Sequence, residues 1–478
     1  MKLIDLTLTA PYLELDPIFY HQVEPTPLHR PAFISHNALG SALLGLDPEL
    51  LDSDDITALL NGTLKLEGSR PYAMCYAGHQ FGHYVPRLGD GRAINLGKTN
   101  GWNLQLKGSG QTLYSRQGDG RAVLRSSIRE YLIAEAMFGL GIPTTRSFAL
   151  IGSQEKVARE RWEKGAVVLR LSPSWIRFGS FEYFYHSRRF AELESLADFL
   201  IRESYPHLLT HPEPYVAMFG EIVVRTAELI AQWQSVGFNH GVMNTDNMSA
   251  AGLTIDYGPY AFMDTFESGY ICNHTDTQGR YSYDSQPGIG LWNLQRLALA
   301  LSPLIPQEKL EASLELYPGA FSTKLFSLLR AKLGLDDSRD EDADLFRSLF
   351  SVLEHGYVDM TPFFRTLSRY DGNRTALLAL SLSGEKMHDW LDRYDVRLTF
   401  NTASMSDRHA RMLRTNPKYI LKNYILQEAI ERAESGDYGL VNDLLRIAHS
   451  PFDEHLPFER YAGPTPSNYT NTRLSCSS

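Results

Sequence analysis

Asn247 and Asp256 offer an amide oxygen and a carboxylate nine positions apart, the first closing HGVMNTDN (240–247) and the second opening Asp256-Tyr257-Gly258. A hard cation on nucleotide phosphates takes only one or two protein oxygens and keeps phosphates and waters as its other ligands, so such a pair suffices to hold it. One more acid, Asp246, adjoins Asn247. A carboxylate there can take the proton of an attacking hydroxyl, and beside a cation it is expected to have a depressed pKa and stay ionised at neutral pH. An Asp in a tight loop is also a common Asx-turn residue.

The spacing matches the protein-kinase pattern HRDxxxxN followed by DFG, in which the first Asp accepts the hydroxyl proton while the Asn and the second Asp hold magnesium. His240 and Asn247 keep that spacing, but Val242 occupies the position of the base. An apolar side chain accepts no proton. The loop is equipped to hold a metal nucleotide and unequipped for ordinary phosphoryl transfer.

The other parts needed to grip phosphates lie upstream in kinase order. Lys107 ends the alternating stretch Trp102–Lys107, with Leu104 and Leu106 on one face and Gln105 and Lys107 on the other, and Glu130 on the following helix can fix its ammonium. Alone, Lys107 reads as a solvated strand residue. The order of glycine turn, strand Lys, helix Glu, loop Asn and Asp256 argues for phosphate. Gly89 and Gly91 bracket Asp90, with Arg92 next, and QGDGR (117–121) repeats the chemistry with Asp119 and Gly120. Glycines let backbone amides approach an anion, although plain β-turns look the same. Arg170 and Arg177 flank LSPSWI and suit pyrophosphate, the alternative being surface arginines paired with the acid excess.

These residues need a small mixed lobe and a helical one to position them. Strands are expected at Trp102–Lys107, Arg146–Ile151 and Ala166–Leu171, with a helix capped by Ser126 or Ser127 and ended by Gly139, Gly141 and Pro143. Helices are expected at Glu221–Val236, closed by Gly237, and at Pro287–Leu301, Gln307–Leu316 and Tyr419–Glu434, with a short strand over Leu253–Ile255 leading into Asp256. The last 30 residues, with Pro451, Pro457, Pro464 and Pro466, read as an irregular tail.

Bulk properties narrow the function classes. A chain of 478 residues suits two lobes with appended segments rather than one simple core. With 46 basic against 56 acidic residues, net charge −10, it does not read as a nucleic-acid binder. No uncharged apolar run reaches the roughly 18 residues a membrane helix needs, and the N-terminus lacks a basic, then apolar leader, so no membrane role and a cytoplasmic location are expected. The acidic run Asp336–Asp344 reads as a solvated loop or helix start. It lacks the Gly and closing Glu of a calcium loop. Three cysteines fit a reducing compartment. Cys75 sits among apolar and aromatic residues as a buried hydrophobe, whereas a reversible Cys272 to Cys476 disulfide would tie the tail over the active-site segment; the alternative is two free thiols.

The blocks LGDGRA, KGSGQTLYSRQGDGRAVLRSSIREYL, FGSFEYF, FNHGVMNTDNMS, TIDYGPYAFMD, TNPKYILKNYILQEAI and the terminal SCSS resemble the SelO (selenoprotein O) family of protein adenylyltransferases from about Pro71 onward. The resemblance implies an α+β, protein-kinase-like bilobal fold: an N-terminal extension (1–70), a nucleotide-binding N-lobe (71–180), a helical C-lobe (181–400) and a C-terminal helical extension and tail (401–478). It also implies ATP bound in a flipped orientation, with AMP passed to Ser, Thr or Tyr hydroxyls of protein substrates and pyrophosphate released. Gly89, Gly91, Arg92, Lys107, Asp119, Gly120, Arg170, Arg177 and Asp256 would contact the nucleotide. Asn247 and Asp256 would hold Mg²⁺ or Mn²⁺, and Asp246 would accept the proton. Cys476 stands where animal members carry selenocysteine, consistent with a bacterial-type member. Transfer of UMP, an atypical kinase and a non-catalytic nucleotide-binding scaffold remain as alternatives.

Overall fold

The computed structural model describes residues 1–466 and 469 of the chain. Its main sheet is antiparallel and eight-stranded. Tyr20–Gln22, Tyr72–Met74, Ala93–Thr99, Trp102–Lys107, Trp162–Ser172, Arg146–Ala158 and Pro31–His36 follow in that order, and Ala122–Val123 pairs on Trp162–Ser172. Both edge strands come from residues 1–70, the segment expected to pack as an N-terminal extension.

Alternation decides what each face of the sheet meets. Leu104, Leu106, Val167, Leu169 and Leu171 pack with Leu3, Leu6, Leu44, Leu59 and Leu60 on one side, so the N-terminal segments cover that face. On the other side Ala166, Val168 and Leu150 meet Leu124, Ile128, Leu132 and Met137 of the helix Leu124–Gly139. Arg170 stands opposite Gln105, and Val168 opposite Lys107. That register puts Lys107, Gln105 and Arg170 together on the helix side.

The helix Leu124–Gly139 has no side-chain cap. It runs on directly from the strand Ala122–Val123, and Ser126 Oγ bonds back to Val123 O instead of capping. Its end falls as expected, with Gly141 at φ 75° and Ile142 N donating to Met137 O. Helices Asn423–Glu434 and Gly439–His449 pack against it, and buried Glu135 ties Arg146 to His449 at 2.6 and 2.8 Å. The C-terminal segment thus packs back against the helix that covers the sheet.

Pro214–Ser235, Gln286–Leu301 and Leu316–Leu333 form the helical body beneath the site. Pro214 starts its helix two turns before the expected Glu221, because Pro suits the first helical turn. Gln307–Leu314 and Leu316–Leu333 are separate helices, and Asn423–Glu434 begins four residues later than expected. Leu253–Ile255 forms no strand; Thr254 makes only isolated bridges to Thr144 and Met248. The hairpin 146–172 runs longer than its apolar core, since Glu155 and Glu163 at its polar end pair with Arg121 and Arg125.

The acidic run is a mostly exposed loop leading into the start of helix Asp342–His355, as expected, with Asp342 its buried anchor. Asp342 is 1% exposed and, with Asp337, accepts from Arg397, while Asp336 takes Thr402 N, Ala403 N and Arg411. No helix among the described residues is long and apolar enough to cross a membrane.

Lys332 closes the helix Leu316–Leu333, buried, its amine 5.0 Å from the centre of the Phe364 ring. Burial lowers its pKa from 10.5 to about 8. Stability is therefore lost as pH falls through that window, and the whole penalty is present below about 8. Lys332→Met is expected to add roughly 1–3 kcal/mol of unfolding free energy at neutral pH and almost nothing above the unfolded-state pKa. Melting curves at the two pH values check it.

Candidate active site

The Trp102–Lys107 strand, two glycine turns and the loop 240–247 surround a cavity of about 730 Å³. Gly89, Gly91, Arg92, Lys107, Asp119, Gly120, Arg170, Asp246, Asn247 and Asp256 all line it. Arg177 does not. It is 1% exposed, stacked 4.3 Å from the Tyr76 ring, and reaches Asp256 from behind.

Gly89 is in the left-handed region at φ 67°, where a β-carbon would also run into the Tyr114 ring. Asp90, between the two glycines, turns inward. It is 2% exposed and accepts from Met74 N at 3.0 Å and Asn95 Nδ2 at 3.2 Å, anchoring the turn to the sheet. In the second turn Asp119 accepts from Arg159 at 2.7 and 2.9 Å, and Arg159 lines the cavity too.

Lys107 Nζ lies 2.7 Å from Glu130 Oε2, and Arg170 Nη1 lies 2.7 Å from Glu130 Oε1. Asp256 takes Arg170 at 2.6 Å on Oδ1 and Arg177 at 2.5 Å on Oδ2, with Lys107 at 3.6 Å. Burial opposes the ionised forms of Glu130 and Asp256, but the neighbouring cations outweigh it. Both pKa values fall, that of Asp256 well below the usual carboxylate range. Burial of Lys107 pulls its pKa down, Glu130 opposing. Three cations thus pair with two carboxylates, and of the three Lys107 and Arg170 line the cavity. Asp256 itself has φ 53°, a backbone conformation kept where surrounding structure over-determines it.

The loop is fixed from below by His240, which is buried, stacks on Trp233 at 5.4 Å and donates through Nε2 to Ile255 O at 3.1 Å. Burial lowers its pKa, so it stays neutral and joins the loop to the Asp256 segment. Asn247 Nδ2 donates to Val242 O at 2.9 Å, which leaves the amide oxygen as the end available to a cation.

From above, the short hairpin Gly78–Gln80/His83–Val85 grips three consecutive loop residues. Phe81 N donates to Asn244 Oδ1 at 3.2 Å, His79 N to Thr245 Oγ1 at 2.6 Å, and Gln80 Nε2 to Asp246 Oδ2 at 3.1 Å. Buried Glu182 ties Thr245 to His79 at 2.5 and 2.6 Å. Asp246 Oδ1 keeps no protein partner. Burial pushes the Asp246 pKa up to about 7, with Gln80 and Arg177 opposing, which reverses the expected depression: that reading assumed an adjacent cation, and in the protein alone burial wins.

A β-carbon at Gly78 would lie 2.7 Å from Asp246 Oδ1 and 2.9 Å from its Cβ. Gly78→Ala is therefore expected to cut turnover at least roughly tenfold by displacing the carboxylate, with little loss of nucleotide affinity. Steady-state kinetics beside nucleotide titration will separate the two.

The family model for protein adenylyltransferase SelO matches residues 2–449. The chain belongs to the SelO family. Protein nucleotidyltransferase YdiU of Myxococcus xanthus is 48% identical over 476 residues, covering 98% of each chain. Its namesakes from Photobacterium profundum and Thioalkalivibrio sulfidiphilus are 45% and 46% identical over 512 and 490 residues, covering 99–100% of each chain. This SelO-family chain is a nucleotidyltransferase.

Gln80, Gln105 and Arg159 escaped the sequence reading. Gln105 accepts from Arg170 and donates to Asn95 Oδ1 at 3.2 Å, so it orients the arginine; its place beside Lys107 in the alternation was the available signal. Cys272 is buried, its Sγ 3.6 Å from Asn239 O. Cys476 lies outside the described residues, and the expected pairing with it. Cys75 is buried, and that pushes its thiol up to about 11, as befits a packing residue.

Nothing among the described residues assembles three or more His, Cys, Asp or Glu side chains as a metal cluster. Asn247 and Asp256 both line the cavity, and both oxygens of Asp256 already accept from Arg170 and Arg177.

Proposed function

We propose that this chain transfers AMP from ATP to Ser, Thr or Tyr hydroxyls of protein acceptors, within a kinase-like bilobal frame. The observation that carries the reading is Asp246 Oδ1, buried in the cavity wall without a partner while Val242 fills the position of a kinase base. Asp246 takes the hydroxyl proton as the acceptor oxygen bonds to the α-phosphorus. The bond from that phosphorus to the oxygen bridging to the β-phosphate breaks, and pyrophosphate departs with the electron pair.

Lys107 and Arg170 face the growing charge directly, and Arg177 supports it through Asp256. Gly89, Gly91, Arg92, Asp119 and Gly120 form the rim against which the nucleotide lies. Asn247 and Asp256 would hold Mg²⁺ or Mn²⁺, which supplies charge neutralisation on the phosphates. A carboxylate oxygen has lone pairs enough to serve a cation while keeping one arginine.

ATP labelled at the α or the γ phosphate, incubated with a mixed protein extract, tests the reading. Protein-bound label from the α position only, lost in Asp256→Ala, is the expected result. Label from γ would establish a kinase, and label from neither a scaffold; UTP in place of ATP measures UMP transfer.

A further inference from the structure

The hairpin that grips Asp246 has a second face, and there the protein gathers aromatic rings and arginines. Gly82, at its tip, packs against Arg280, a β-carbon there falling 3.4 Å from the guanidinium carbon. Arg280 lies 4.5 Å over the Trp292 ring, and Arg296, one turn further along the helix Gln286–Leu301, lies 5.1 Å from the same ring. Trp292 meets His79 at 5.5 Å, and Tyr84 meets exposed His186 at 4.0 Å. Asn293, Leu294 and Leu297 of that helix are buried, while Trp292 and Arg296, four residues apart, are half-buried at its flank.

Neither arginine joins an ion pair among the described residues, and Arg280 also lies 5.7 Å from the Tyr281 ring. Glu182, behind the patch, is already committed to His79 and Thr245. In a chain of net charge −10, two unpaired arginines on a tryptophan form a local reversal of sign. Trp, Tyr and Arg are also the side chains that carry binding energy at protein interfaces.

We infer that Arg280, Trp292 and Arg296, with Tyr84 and His186, dock an acidic segment of the acceptor protein and so bring its hydroxyl to Asp246. The patch touches the hairpin one residue from Phe81, which lines the cavity beside Asp246 and meets the Tyr281 ring at 5.2 Å, tilted. An acceptor chain passing over Phe81 can thus hold its hydroxyl in the cavity and its flanking carboxylates on the arginines. The partner's chemistry is set by the bidentate fit of guanidinium to carboxylate. The inference rests on the proposed transfer to proteins, and its test reads binding and transfer separately.

Synthetic peptides carrying one Tyr flanked by Asp and Glu, by Lys, or by Ala are titrated against the full chain by fluorescence anisotropy. Transfer to the same peptides is then followed with ATP. Tighter binding of the acidic peptide is expected, weakened at least tenfold by Arg296→Glu and by Arg280→Gln but not by the distant Arg347→Glu. KM for the acidic peptide should rise with kcat held. Equal binding of the three peptides, an Arg296→Glu protein that binds like wild type, or an oligonucleotide bound as tightly as the acidic peptide would overturn the inference. Arginine-dependent peptide binding with no transfer would leave the docking surface standing and remove the proposed activity instead.

Discussion

Asp246→Asn is expected to lower turnover by roughly 10²–10⁴-fold while nucleotide affinity stays within a few-fold. The asparagine keeps the size of the side chain and can still accept from Gln80, which holds Oδ2 at 3.1 Å. What disappears is the capacity of the partnerless Oδ1 to take a proton. Glu130, Asp256 and Asp119 are tied to cations that hold their pKa values low, and Asp90 is turned into the sheet, bonded to Met74 N and Asn95. Single-turnover rates beside nucleotide titration give the answer, and a rate within threefold of wild type would remove Asp246 from the chemistry.

Asp256→Ala is expected to abolish measurable transfer, a loss of roughly 10³-fold or more, and to destabilise the fold. Without this carboxylate, Arg170 and Arg177 lose partners at 2.6 and 2.5 Å, and Glu130 alone faces Lys107 and Arg170. Breaking a buried ion pair from one side costs about 3 kcal/mol, the low end of the range being apt because the Asp256 side chain is 19% exposed. A triphosphate should restore part of the loss, since its oxygens can occupy the place the carboxylate left. Thermal denaturation with and without nucleotide should therefore show a larger upward shift in the variant than in wild type.

Lys107, Glu130, Asn247 and Asp256 were legible in sequence because strand alternation and loop spacing place them locally, without reference to distant residues. The hairpin at Gly78–Val85 was not. Its contacts with the loop span more than 160 residues, and a segment as short as GHQFGHYV shows no period to mark it as a clamp. Arg177 was read as a phosphate ligand from its distance to Arg170 along the chain, a measure that does not say from which side of Asp256 each arginine arrives. The N-terminal segments and the helix Gly439–His449 were read as appendages for a similar reason. Their leucines give amphipathic patterns, but a pattern names no partner, and only the fold lays them on the two sides of the main sheet and its helix.

The co-product of the reaction tests the central claim most directly. Purified protein, ATP, a divalent cation and an acceptor that it modifies are mixed, and released pyrophosphate and ADP are quantified alongside the modified acceptor. The account predicts pyrophosphate rising in step with modification, and neither product from Asp246→Asn. ADP rising in step with a phosphorylated acceptor would contradict it.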